Sequence, residues 1–149
     1  YKVLKTLLDT AMDFERSRMY PGVPEYFDND GRGLYSYLTG AASWYMLTMI
    51  TSVYGVHGEL GDLVIEPALM PQQYNENGDA KVSLEFAGHG FDISVHNPDR
   101  LEPGDAQVKR ALCDDVKVEN VIGNSVRISK HAIEMLSTDK CHTVEIYIE

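Results

Sequence analysis

Cysteine is scarce in this chain. Cys113 and Cys141 are the only two, and neither has the paired spacing or ligand neighbours of a zinc site. Reduced structural thiols are the default, with a single disulfide left open. No apolar run approaches the ~18 residues of a membrane span, and the N-terminus lacks the basic, apolar and small-residue order of a signal peptide. Basic residues are also short, 13 Lys and Arg against 23 Asp and Glu, for a formal net charge of -10. That field repels phosphate backbones and anionic surfaces, so neither nucleic acid nor membrane is an expected partner. His57, His89, His96, His131 and His142 are scattered without the close pairing of ligand sets, so no metal and no cofactor is expected. A Gly-x-Ser-x-Gly elbow is missing, which removes the usual support for a serine nucleophile. No internal repeat or low-complexity tract is present.

What is there suits a globular fold: 149 residues, 44% hydrophobic, enough for one ordinary domain or a small β domain with a helical piece attached. Leu4, Leu7, Leu8, Ala11, Met12 and Phe14 recur at helical spacing from Lys2 to about Arg18. Pro21, Gly22 and Pro24 end that pattern. From Gly40 to about Tyr54 the sequence is apolar nearly all round and uncharged, a helix that must be enclosed. Gly55, Gly58 and Gly61 change the texture, and a domain boundary is read there, residues 1–56 helical and 57–149 β.

Strands are expected at Leu63 to Pro67, Ala80 to Phe86, Phe91 to His96, Gln107 to Leu112, Val116 to Glu119, Ser125 to Ile128 and His142 to Ile148. The turns between them fall at 75–79, 87–90 and Gly123-Asn124. His131 to Leu136 fits neither period and reads as irregular or strand. Asp114 with Asp115 reads as a solvated face or turn. The fold class is α+β, with helices first and an antiparallel β-sandwich-like domain after them. Because Tyr1 falls within an amphipathic pattern, the chain reads as the C-terminal piece of something larger.

The stretch from Gly31 to Trp44 carries the chemistry. Gly31-Arg32-Gly33 forms a loop, Thr39 stands where a helix N-cap is expected, and Gly40-Ala41-Ala42 opens the helix. Such a helix start offers backbone N–H groups and the positive end of the macrodipole to an anion, with no side chain at Gly40 to block close approach. The Thr39 hydroxyl can accept from a first-turn amide and donate to a bound oxygen. Local physics leaves two readings open, a plain cap or a phosphate cradle. The net charge does not decide between them, because a diffuse field is screened over ~8 to 10 Å. Glu25, beside Tyr26 and Phe27, is either a sugar-facing carboxylate or an ordinary loop residue.

Tyr20-Pro21-Gly22-Val23-Pro24-Glu25-Tyr26-Phe27, Gly31-Arg32-Gly33, Tyr37-Leu38-Thr39-Gly40-Ala41-Ala42-Ser43-Trp44, Gly55-Val56 and Gly61-Asp62-Leu63-Val64-Ile65-Glu66-Pro67 together resemble the C-terminal end of glycoside hydrolase family 94. The likeness is dense from Tyr20 to Pro67 and looser to the end. That family holds inverting phosphorylases of β-linked glucosides, such as cellobiose phosphorylase, and the phosphorylase-like region of cyclic β-1,2-glucan synthases. The resemblance implies that residues 1–56 are the last helices of an (α/α)6 barrel. It implies that the Thr-Gly pair, Thr39 and Gly40 here, binds phosphate, with a β-linked gluco-oligosaccharide as the other substrate. Glu25 and Arg32 match family positions, Glu25 as a candidate to face the sugar and Arg32 as a candidate to order the loop. The family's general acid, an Asp, and its phosphate-binding Arg and His lie upstream of any residue here, which implies an inactive isolated chain. A cytoplasmic homodimer is the implied parent. The alternatives are a non-catalytic end of a cyclic glucan synthase, or a structural or sugar-binding module.

Overall fold

The computed structural model describes residues 1–35 and 40–149. Two compact units are present, Tyr1–Met49 and Ile50–Glu149. The division therefore falls before the 56/57 boundary suggested by the glycines. Ile50 and Tyr54 account for the difference: both pack against the core of the second unit, and the Tyr54 hydroxyl donates to the Lys81 carbonyl at 2.7 Å.

In the first unit, α1 (Lys2–Met12) carries the amphipathic pattern, with Ala11 buried and Val3 and Met12 exposed. It stops short of the expected Arg18. Asp13 leaves the helical conformation at ψ 93°, and its carboxylate accepts the Arg16 N–H at 3.1 Å, which caps a separate helix α2 (Phe14–Ser17). Aspartate is among the strongest N-caps, and here the cap overrides a continuous apolar period. Strands β1 (Tyr26–Phe27) and β2 (Gly33–Leu34) pair antiparallel. Helix α3 (Ala41–Thr48) buries none of its residues. It passes into a π-helical turn, Met49–Val53. Trp44 is 68% and Met46 60% exposed, so the apolar circumference predicted for this helix is uncovered in the chain as it stands.

The second unit is mostly sheet. Its strands are β3 (Val56–Glu59), β4 (Asp62–Ile65), β5 (Asp79–Phe86), β6 (His89–His96), β7 (Val108–Cys113), β8 (Val116–Lys117), β9 (Val121–Ile122), β10 (Ser125–Ile128) and β11 (Cys141–Ile148). They form a four-stranded sheet in the order β3-β4-β10-β9 and a five-stranded sheet in the order β5-β6-β11-β7-β8. Period-2 alternation builds the core between them: Leu63, Ile65, Val126 and Ile128 from one sheet join Phe91, Ile93, Ala111, Val144 and Ile146 from the other. This is a sandwich-like domain.

It departs from the expected antiparallel arrangement at one pair. β11 lies parallel to β6, with His142 opposite Phe91 and Ile146 opposite Val95, and antiparallel to β7. Alternation looks the same in parallel and antiparallel partners, so the pattern could not show this. The stretch read as irregular or strand is also corrected. Lys130–Glu134 forms a short helix, α4, which buries Ile133. Two side chains define its start: Ser129 Oγ accepts the Ala132 N–H at 3.2 Å, and Asp62 Oδ1 accepts the Lys130 N–H at 2.7 Å. A helix this short has too few turns for periodicity to register. Among the described residues, no helix is long and apolar enough to cross a membrane.

Candidate functional site

The loop between β1 and β2 is ordered by residues the sequence reading passed over. The Asp28 carboxylate accepts the N–H groups of Asp30 at 3.0 Å and Arg32 at 2.9 Å, while the Gly31 N–H donates to the Asp28 carbonyl at 3.0 Å. This is the Asx-turn chemistry for which Asp is favoured in loops, and the Asp-x-Asp-Gly pattern was its available signal. Arg16, from α2, donates through Nε to the Asp30 carbonyl at 3.0 Å. Gly31 has φ +83°, and a Cβ there would stand 2.2 Å from Arg16 Nε, so both the turn and the bracing arginine require glycine. Arg32 takes part through its backbone, its carbonyl accepting the Asp28 N–H at 3.0 Å, and its side chain is exposed. Glu25 is exposed as well, with its N–H donating to the Tyr35 carbonyl at 3.2 Å.

Thr39 lies outside the described residues. The cap position expected for it belongs to Gly40, which precedes α3 at φ -83° and ψ -1° and offers no side-chain cap. Within the helix, the Trp44 N–H donates to the Gly40 carbonyl at 2.8 Å. The N–H groups of Ala42 and Ser43 come before that bond, in the first turn where the helix's own ladder has no acceptor. The Trp44 ring folds back over the start: a Cβ on Gly40 would lie 3.0 Å from Cδ1 and 3.2 Å from Nε1. The indole edge of Trp44 thus lies against the helix start beside Gly40.

Two of the polar networks in the β unit are built around histidines. The first centres on Asp114, in the turn after β7. Its carboxylate takes Lys140 Nζ at 2.6 Å, His142 Nδ1 at 2.8 Å and the Thr143 N–H at 3.0 Å. Burial pushes the Asp114 carboxyl up, and the Lys140, His142 and Thr143 bonds more than reverse it, leaving it well below the usual carboxylate range. His142 is fully buried beside Phe91, and its Nε2 meets the Ser137 carbonyl at 2.7 Å. Asp114 is therefore a hub inside a turn rather than a solvated acid.

The second network crosses the outer face of the five-stranded sheet. His96 Nδ1 meets Asp79 at 2.7 Å and Nε2 meets Glu145, so both nitrogens donate only when the ring is protonated. Partial burial lowers the His96 pKa, and the Glu145 and Asp79 bonds outweigh it, so the net shift is upward. A folded-state value above the unfolded one stabilises most below the unfolded pKa of ~6.5 and loses that stability as pH rises through the folded value. We expect the urea midpoint of the wild type to fall between pH 6 and 8.5 more than that of His96→Gln. Parallel pH profiles for the two proteins would show that the clamp carries no such linkage.

Cys113 and Cys141 are both free, which closes the disulfide alternative. Burial raises both thiol pKa values, so neither is primed as a nucleophile. Among the described residues, no group of three or more His, Cys, Asp or Glu is placed to hold a metal ion. In comparisons with known proteins, no family model matches the chain and no curated protein matches it significantly.

Proposed function

We propose that this chain is the C-terminal part of an inverting glycoside phosphorylase that cleaves a β-linked glucoside with inorganic phosphate to give α-glucose 1-phosphate. The observation that carries the reading is the bare start of α3. Gly40 occupies the cap position without a side-chain cap. Its sequence context is the Thr39-Gly40 pair by which the chain resembles family 94. The uncovered apolar surface of α3 supports it too, as the face of a helix made to pack among further barrel helices.

The chemistry asked of such a site is modest. Phosphate is already an anionic nucleophile, so it needs positioning for in-line attack at the anomeric carbon more than it needs deprotonation. First-turn amides and a helix dipole supply that positioning together with charge stabilisation. Protonation of the leaving oxygen belongs to an acid on another part of the parent enzyme.

The test is phosphorolysis of β-linked glucobioses by the full-length parent, wild type against Thr39→Ala. We expect kcat/KM for phosphate to fall about 100-fold, ~2.7 kcal/mol, with a raised KM for phosphate. Unchanged phosphate dependence, or no glucose 1-phosphate from the wild type on any β-linked glucobiose, would sink the reading.

A further inference from the structure

Strand register fixes what the five-stranded sheet shows on its outer face. Lys81, Ser94 and Glu145 stand in one row across β5, β6 and β11, and Ser83, Asp92 and Thr143 stand in the next. All six are polar, and the sheet's apolar side chains point the other way into the core. Ser94 is only 4% exposed although it stands on the outward side. It forms the floor of a depression of about 290 Å³.

Three of the lining side chains are held before any ligand arrives. Glu145 is engaged by His96, which is itself anchored to Asp79. The Ser83 hydroxyl donates to Asp92 at 2.6 Å. Fixed side chains remove part of the ordering cost of binding, which separates a built recess from a row of mobile side chains.

We infer that this depression is a subsite for the ring of a neutral sugar. Its lining alternates ammonium donor, hydroxyls and carboxylate acceptors at close quarters, which is the complement of a ring bearing hydroxyls that each donate and accept. Two carboxylates, Asp92 and Glu145, line the recess beside the single ammonium of Lys81, so the balance of charge disfavours an anionic ligand. The volume lies near the ~300 Å³ lower end of small-ligand pockets, room for one ring and not a chain. No aromatic platform contributes. Tyr147 has one face stacked on His96 at 4.7 Å between centroids, and Arg110 sits 4.1 Å above its ring. Recognition is therefore by hydrogen bonds. That the sugar is a unit of the same β-glucan rests on the function proposed above.

The experiment is an amide chemical-shift titration of the 149-residue chain. The probes are glucose, galactose, mannose, cellobiose, glucose 1-phosphate and spermidine. We expect saturable shifts at Asp92, Ser94 and Thr143 with at least one neutral sugar, and binding about tenfold weaker for glucose 1-phosphate. Ser94→Leu fills the floor and Thr143→Lys obstructs the exposed rim, and each should abolish the shifts while the spectrum elsewhere stays folded. No saturable shift with any neutral sugar overturns the proposal. So does binding undiminished in both variants, or saturation by spermidine alone. Binding of neutral sugars without preference for glucose upholds the subsite and detaches it from the glucan reading. A failed phosphorolysis assay leaves this titration unaffected.

Discussion

Gly55→Ala is expected to cost the second unit at least about 4 kcal/mol, a large share of the ~5–15 kcal/mol that holds an ordinary domain folded. Gly55 has φ +69°, and a Cβ there would sit 1.9 Å from the Glu66 carbonyl oxygen and 2.4 Å from its carbon. The obstacle is backbone, so no rotamer change relieves it. The same two residues are bonded, Glu66 N–H to Gly55 carbonyl at 3.0 Å, and the next rung beyond is Ala68 N–H to Val53 carbonyl at 2.9 Å. Moving the strands apart would break these bonds, at about 1 kcal/mol each, and would disturb Val56 and Ile65, which face each other in register and are both buried. The left-handed conformation adds about 1 kcal/mol for any residue with a side chain. Urea unfolding measures the sum. Gly88→Ala is the internal control: its φ is +80° but nothing lies within 4 Å, so only the conformational cost of about 1 kcal/mol applies. Equal losses for the two variants would show that the overlap at Gly55 is relieved without cost.

Asp114→Ala should lower stability by about 2–3 kcal/mol near neutral pH, a fall in Tm of roughly 10 °C for a unit of this size. Removing the carboxylate leaves the buried His142 Nδ1 and the Thr143 N–H without the acceptor they share. It also strips Lys140 of its partner. The pH dependence distinguishes this from simple loss of packing. The folded Asp114 carboxyl lies below its unfolded value of ~3.9, so its contribution is present above that pH and is lost as pH falls through the folded value. The wild-type advantage over Asp114→Ala should be nearly constant from pH 5 to 8 and shrink below about pH 4. An advantage that persisted undiminished in acid would assign the effect to packing. Lys140→Met, which removes one charge partner and leaves the turn intact, should reproduce only a fraction of the loss.

What could be read from residues alone followed the range of the physics involved. β10 was legible to the residue because Ser125–Ile128 alternates cleanly and Gly123-Asn124 marks its start. The hairpin of β5 and β6 was legible for the same reason, although the turn is tighter than read and His89 and Gly90 already belong to the strand. Short-range rules did not reach the capping by Asp62, whose partner in α4 is far along the chain. Nor did they reach Asp114, whose importance comes from Lys140, His142 and Thr143 arriving from a distant strand. At the loop, glycine spacing pointed to a tight turn and Asp28 was a local signal for it, but the bracing by Arg16 from α2 lay beyond short-range rules. Gly40 shows the limit in the other direction: one residue separates a threonine cap from a bare glycine cap, a shift within the usual uncertainty of helix ends.

The place of β11 also sets an order in time. It sits between β6 and β7 in the five-stranded sheet and is parallel to the first of them. Until it docks, β5 with β6 and β7 with β8 are two separate ribbons, each with an inner edge of unpaired amides and carbonyls. As the chain leaves the ribosome, those edges wait for β11, which is made after all four of their strands. Closure is then a long-range event of high loop entropy, the slow kind of sheet formation, and the two open ribbons are the species a chaperone would have reason to hold.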